Sequence, residues 1–125
     1  MERKTLGVLA SSYSPAVLVS AGRTIYVSGT VALDAQGNVV HPGDVEAQAR
    51  FVFQQIAELL QAGGASLHDV VKINTFITDM KRYGEFSKVR KEVFGEGPFP
   101  ASAAVEVSAL VKDGLLIEIE AIAVF

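Results

Sequence analysis

Residues 117–124 read Ile117-Glu118-Ile119-Glu120-Ala121-Ile122-Ala123-Val124, and this stretch decides the fold. It predicts a strand within residues 115–124 that carries apolar side chains on both alternations. Residues 69–78 show the same pattern, with β-branched and apolar residues on both sides. Strands of this kind lie in a sheet that is covered on both faces. The two segments therefore predict a sheet with two buried faces.

The remaining chain supplies further strands and two helices. Strands are predicted at 16–20, 23–29 and 102–109, with turns at 34–38 and 112–114. Asp44 is the predicted N-cap of a long helix that ends at Gly63 and Gly64. A second helix is predicted from about 81 to 94, before a run of glycines and prolines. The apolar face of the first helix is predicted from its spacing to hold Val45, Ala49, Val52, Phe53, Ile56, Leu59 and Leu60.

The order of these elements is β-β-α-β-α-β-β, which predicts an α+β domain with a mixed sheet and two helices on one face. The whole chain, residues 1–125, is predicted to form this one domain. Two helices leave the second face of the sheet uncovered. The simplest cover is another copy of the chain, because a large exposed apolar area marks an interface.

Composition excludes several classes of function. The chain has 125 residues, 50% of them hydrophobic, and a net charge of −3 without a lysine/arginine run, so we expect no nucleic-acid partner. No apolar stretch reaches the roughly 18 residues of a membrane helix, and the first residues lack the apolar run of a secretory signal. Cysteine is absent, which excludes thiol catalysis and thiolate metal sites. His41 and His68 have no metal-ligand spacing and are interpreted as surface residues. We expect a cytoplasmic protein.

Arg90 is the most unusual residue of the second helix, because it falls inside the apolar stripe. A guanidinium there needs an anion or several carbonyl groups as partners. One interpretation is an internal ion pair with Glu118 or Glu120 of the last strand. The other is that Arg90 faces a pocket and binds a substrate carboxylate through its two-pronged fork. Its neighbours in the stripe are Phe86, Val89, Val93 and Phe94.

Glu118 and Glu120 form the second candidate group. Two residues apart on a strand, their side chains leave the same face about 7 Å apart. Two carboxylates on a partly apolar face suit proton transfer, although a solvated strip is the alternative. Ser28-Gly29 closes a predicted strand, where a glycine would let a ligand approach the backbone. Tyr13 lies in a loop, where packing is the alternative to function.

Four segments together resemble the RidA/YjgF family. They are Tyr26-Val27-Ser28-Gly29-Thr30, Asp69-Val70-Val71-Lys72-Ile73-Asn74, Phe99-Pro100-Ala101 with Val105-Glu106-Val107, and residues 117–124. The resemblance implies a chorismate-mutase-like α+β fold and a homotrimer with three clefts between subunits. The best-known members hydrolyse reactive 2-imino and enamine acids to 2-keto acids and ammonia, a form of metabolite damage control. They need neither metal nor cofactor.

The resemblance also implies roles for individual residues. It places Tyr13 in the lining of the cleft, Ser28 and Gly29 in contact with the ligand, and Glu118 as the residue that positions water. The ligand would be a small acidic metabolite.

One feature departs from the family pattern. The carboxylate-binding arginine is expected after Pro100-Ala101, but this chain has Ser102 there. Ala104 replaces a frequent cysteine, and Arg90 falls where deaminating members often carry asparagine. A lost arginine–carboxylate pair costs about 2–5 kcal/mol, so weak or no activity on small 2-imino acids is expected.

Two hypotheses of function follow. The first is a cofactor-independent deaminase or hydrolase of an enamine, imine or related conjugated acid, which Tyr13, Ser28, Glu118 and Arg90 favour. The second is a non-catalytic trimeric module that binds a metabolite or a protein, which Ser102 favours. Ribonuclease action, a third idea attached to names in the family, has no basic groove or histidine pair to support it.

Overall fold

The fold is an α+β domain in which one mixed sheet carries two helices. The computed structural model describes residues 1–9 and 12–125. Its helices are α1 (Val45–Ala62) and α2 (Tyr83–Phe94), and short 3₁₀ turns lie at Leu67–Asp69 and Met80–Arg82. Its strands are β1 (Arg3–Leu6), β2 (Ala16–Val19), β3 (Thr24–Val31), β4 (Val70–Ile77), β5 (Ala101–Glu106) and β6 (Ile117–Val124). The predicted fold class is confirmed.

The main sheet has the strand order β3-β6-β4-β5, so β6, the strand of residues 117–124, is an interior strand. β6 is antiparallel to both of its neighbours, whereas β4 and β5 run parallel. The predicted strand at 16–20 lies outside this sheet and pairs with β1, which the sequence did not predict. The strand predicted at 102–109 is confirmed as β5, but β5 ends at Glu106, so the prediction of a strand for residues 107–109 is wrong.

Both helices pack on the same face of the sheet. Ile117, Ile119, Ala121 and Ala123 point toward them and are buried. The predicted apolar stripe of α1 is buried as expected except for Leu59, which is 55% exposed. Leu59 lies beside β3, at the edge of the sheet, where no further element of the described chain covers it.

The start of α1 is fixed by a cap and by one buried amide. The Asp44 side chain accepts a hydrogen bond from the Ala47 N–H at 2.9 Å, as expected for an N-cap. Gln48 is fully buried, and its Nε2 lies 3.0 Å from the Gly114 carbonyl oxygen and 3.2 Å from that of Val40. Its Oε1 accepts from the Leu116 N–H at 2.9 Å. This single side chain ties α1 to the loops before it and before β6.

The second face of the sheet, here called the open face, has no layer of its own chain on it in the described residues. Ile122 pairs with Tyr26 on one side and Lys72 on the other, and all three side chains point to this face. Tyr26 is 77% exposed and Val105 is 48% exposed. Apolar side chains of this face, Tyr26 and Val105 among them, therefore remain uncovered by the described residues, beside polar ones such as Lys72 and Glu120. None of the helices in residues 1–9 and 12–125 has the length and apolarity needed to cross a membrane.

Candidate functional site

Arg90 lies on the buried side of α2, where the sequence predicts it. Its exposed fraction is 2%, and Phe86 and Val89 beside it are fully buried. Helical spacing puts Tyr83, Phe86 and Ser87 on the same stripe as Arg90, since they precede it by seven, four and three residues. The guanidinium thus enters the space between α2 and the edge of the sheet.

Hydroxyl groups surround the Arg90 guanidinium. Nε donates to Ser12 Oγ at 3.0 Å, and Nη1 donates to Ser102 Oγ at 3.0 Å. Nη2 donates to the Tyr83 hydroxyl at 2.9 Å and lies 3.5 Å from Ser87 Oγ. All these partners are neutral, so the guanidinium is held by hydrogen bonds without a compensating charge.

Aromatic rings complete the surroundings of this guanidinium. Its Cζ lies 5.0 Å from the ring centroids of Tyr13 and Phe86 and 5.6 Å from that of Tyr83. A cation within about 6 Å of an aromatic ring centroid is attracted by the negative face of the ring. The rings therefore offset part of the cost of burying the charge.

The interpretation of Arg90 as half of an internal ion pair is wrong. The ion pairs in the described part of the chain join Arg50 to Glu46 and Glu92, Arg82 to Glu85, and Lys88 to Glu46. Glu118 and Glu120 are not among the partners of Arg90, because their side chains leave β6 on the open face while Arg90 lies on the helix face. Helical spacing predicted the side of α2 on which Arg90 lies, but it could not predict which face of the sheet that side packs against.

Ser102 and Tyr13 meet at the β5 edge of the sheet. Ser102 pairs with the buried Ile73 and so points to the helix face, toward Arg90. The Ser14 N–H donates to the Pro100 carbonyl oxygen at 2.9 Å, which holds the Tyr13 segment against the start of β5. A guanidinium therefore lies beside Ser102, the position where the family pattern has an arginine, but it belongs to Arg90 of α2. Ser11, part of the same predicted loop, lies outside the described residues.

Glu118 lies toward the other edge of the sheet, on the interior strand β6 beside the edge strand β3. It pairs with Val31 of β3, one residue beyond an irregularity in register between Val27 and Thr30 that contains Ser28 and Gly29. A Cβ atom at Gly29 would lie only 2.8 Å from Cδ and Oε2 of Glu118. The absence of a side chain at Gly29 is thus what allows the Glu118 carboxylate to rest on the strand. Ser28 and Gly29 also line a groove of about 530 Å³ along β3.

Glu120 has a different environment from Glu118. Its Oε1 accepts a hydrogen bond from Asn74 Nδ2 at 3.0 Å. Glu120, Asn74 and Lys72 line a shallow depression of about 280 Å³ on the open face. The two glutamates share a face, as predicted from their spacing.

The predicted site residues fall into two groups within one chain. The arginine group consists of Arg90, Tyr13 and Ser102, and the glutamate group consists of Glu118, Ser28 and Gly29. Strand β4 separates β6 from β5, which puts the groups roughly 10 Å apart across the sheet. Ser102 is in register with Ile73 and hence with Ala121, so it is also displaced by roughly 10 Å along the strand from Glu118. One described chain does not bring the two groups together.

Sequence reasoning missed three residues of the arginine group's surroundings. Tyr83 and Ser87 precede Arg90 by helical spacing, so a hydroxyl stripe on its own helix was a readable signal. Ser12 had no signal, because nothing in a loop sequence indicates which serine reaches a distant helix. No cluster of three metal-binding side chains occurs in residues 1–9 and 12–125. His41 and His68 are exposed, as predicted.

The sheet order, the helices on one face and the polar groups at both edges define a small α+β protein of the chorismate-mutase-like class. The chain belongs to the RidA/YjgF family. Residues 7–125 match the family model described as Endoribonuclease L-PSP.

Relatives of known sequence and structure agree with this assignment. The chain is 42% identical to the rat 2-iminobutanoate/2-iminopropanoate deaminase, over 90% of this chain and 80% of that protein. It is 41% identical to a RutC family protein of Pyrococcus horikoshii, over 89% of this chain and 85% of the relative. A Yersinia pestis protein of the Rid family superposes with a TM-score of 0.90 at 28% identity, covering 100% of both chains. RidA from a Psychrobacter species gives a TM-score of 0.75 at 36% identity, covering 98% of this chain and 94% of the other.

Proposed function

We propose that the chain is a hydrolytic deaminase of an enamine, imine or related conjugated acid. The observation that carries the proposal is the division of the predicted site residues between the two edges of one sheet. Relatives at 41–42% identity are named as 2-iminobutanoate/2-iminopropanoate deaminases, which supports this class of reaction. The substrate would be a small acidic metabolite.

The proposal requires a homotrimer. In a closed ring, the β3 edge of one subunit meets the β5 edge of the next, so the glutamate group of one chain faces the arginine group of its neighbour. The uncovered apolar area of the open face favours such an assembly. The cleft between two subunits would then contain Glu118, Ser28 and Gly29 from one chain and Tyr13, Arg90 and Ser102 from the other.

The proposed reaction adds water to a carbon–nitrogen double bond. The imine reacts in its protonated form, C=NH2+. The Glu118 carboxylate takes a proton from water as the water oxygen attacks the iminium carbon, and the C=N π electrons become the lone pair of a neutral amine. The same carboxyl gives that proton to the amine, the C–N bond breaks, and the departing ammonia takes the hydroxyl proton to leave as ammonium while the C–O bond becomes a carbonyl. Backbone groups at Ser28 and Gly29 would bind the substrate, and Tyr13 would line the cleft.

Small 2-imino acids are expected to be poor substrates. Ser102 contributes no charge where the family pattern has an arginine, and loss of such a pair costs about 2–5 kcal/mol. On transition-state arithmetic this loss is roughly a 30- to several-thousand-fold reduction in rate. The physiological acid would then differ in size or shape from 2-iminopropanoate.

The test is semicarbazide trapping of imines, generated by an amino-acid oxidase or a threonine dehydratase. We expect hydrolysis of 2-iminobutanoate to be slower than by a family member with the arginine, and to fall to background in Glu118→Gln. Equal rates for the wild type and Glu118→Gln would contradict the catalytic role. A wild type that binds 2-keto acids but hydrolyses no imine would support the alternative, a non-catalytic metabolite-binding trimer.

A further inference from the structure

The Arg90 guanidinium is a buried cation whose described partners are all neutral. It is 2% exposed, and its hydrogen bonds go to Ser12, Ser102, Tyr83 and Ser87. Of its five N–H groups, these contacts engage four, which leaves one on Nη1. Neutral hydroxyls satisfy hydrogen bonds, but they do not supply the negative charge that a buried guanidinium otherwise gains from a carboxylate.

The carboxylates of the chain do not supply that charge. Glu85 and Glu92, on the same helix, pair with Arg82 and Arg50 on its outer side. Glu118 and Glu120 lie on the opposite face of the sheet. Ala10 and Ser11, outside the described residues, carry no ionisable side chain. Within one chain, the charge of Arg90 therefore has no carboxylate partner and is available to a ligand in the cleft.

We propose that Arg90 is an anion anchor that binds the carboxylate of an organic acid. The acid approaches past Tyr13 and Ser102, which are half-buried and separate the guanidinium from solvent. The carboxylate uses the open N–H of Nη1 and displaces the Ser102 hydroxyl from it, so that it becomes the main charged partner of Arg90. This inference rests on the proposed acid-binding cleft but is independent of whether the cleft hydrolyses anything.

The surroundings of Arg90 also predict the selectivity and the affinity of the anion anchor. Hydrogen bonds on Nε and Nη2 and the nearby aromatic rings fix the guanidinium before a ligand arrives, so little side-chain entropy is lost on binding. However, the ligand must replace an existing hydrogen bond to Ser102. Binding is thus expected to be selective for anions and weaker than at an arginine whose N–H groups are free.

The test compares an acid with its neutral ester. Binding of pyruvate, 2-oxobutanoate and methyl pyruvate is measured by calorimetry or by NMR titration of the full chain. The wild type should bind the two acids saturably and methyl pyruvate much more weakly. Arg90→Met keeps the volume and removes the charge, and should weaken acid binding by roughly 30-fold or more. Arg50→Met, which removes an exposed arginine of α1, is the matched control and should bind like the wild type.

A double variant that exchanges the residues at positions 90 and 102 distinguishes loss of the anchor from a failure of Arg90→Met to fold. In Arg90→Ser/Ser102→Arg the guanidinium approaches the same space from β5, and acid binding should recover relative to Arg90→Met. Absence of saturable acid binding by the wild type would overturn the inference. So would equal binding by Arg90→Met, or a loss in Arg90→Met that the exchange does not repair. Acid binding that depends on Arg90, without any imine hydrolysis, would refute the proposed function and leave the anchor intact.

Discussion

At the scale of single residues, Gly29 matters because of the atom it lacks. A Cβ there would lie 2.8 Å from the Glu118 carboxyl group, well inside van der Waals contact. The group that must give way is the end of a flexible side chain, so the protein relieves the clash by moving the carboxylate. We therefore predict that Gly29 is a positioning residue for Glu118, a role distinct from ligand contact through its backbone.

Gly29→Ala is therefore expected to reduce function while leaving stability nearly unchanged. A carboxylate displaced by about 1 Å costs on the order of 100-fold in rate, whereas the free energy of unfolding should change by less than about 1 kcal/mol. Imine hydrolysis and chemical unfolding measure the two effects. Gly84→Ala is the control, because a Cβ there meets no atom within 4 Å.

A double variant identifies the cause of any loss. If Gly29 acts through Glu118, then Gly29→Ala/Glu118→Gln should bind 2-keto acids as tightly as Glu118→Gln alone. Weaker binding in the double variant would show that Gly29 acts on the ligand directly, and an unchanged hydrolysis rate in Gly29→Ala would refute the positioning role.

At the scale of elements, α1 depends on Gln48 as much as on its apolar stripe. The buried amide serves the carbonyl oxygens of Val40, His41 and Gly114 and the N–H of Leu116. Four backbone groups from two loops thus depend on one side chain.

Gln48→Leu is expected to lower the free energy of unfolding by about 2–4 kcal/mol. Leucine has a similar volume, but it leaves buried backbone groups without partners, each of which costs about 1–3 kcal/mol when unmade. Denaturant unfolding at one fixed protein concentration measures the change. The control is Gln54→Leu on the exposed side of the same helix. Equal stability of Gln48→Leu and the wild type would show that water replaces the amide.

The elements also indicate what sequence reasoning captures in this fold. Period and capping predicted both helices and the doubly apolar β6, because those signals are local. Gln48 and the partners of Arg90 were not predictable, since a polar side chain on an apolar stripe does not reveal which distant group it meets. β1 was missed because a four-residue edge strand has almost no periodicity, and Leu59 because its burial depends on where the sheet ends.

At the scale of the whole molecule, the uncovered apolar side chains of the open face predict that subunits associate through it. We expect light scattering to give a mass near three times the 13.3 kDa of the chain. Ile122→Asp adds a charge to the centre of the open face, next to Glu120, and should lower that mass. A stable monomer of the wild type would contradict the trimer and the shared cleft together.

The control for this variant is Val111→Asp, which places the same charge on a loop residue that is 80% exposed. It should leave the mass unchanged. An Ile122→Asp protein that keeps the mass of the wild type would show that the open face is not where the subunits meet.

The separation of the two residue groups onto opposite edges of one sheet has a genetic consequence. In the proposed trimer, each chain would contribute one edge to each of two clefts. A chain damaged at both edges would disable both clefts that it borders and spare only the one formed by its two neighbours. A cell making normal and damaged chains in equal amounts would therefore lose more than half of its working sites, so such alleles would be partly dominant.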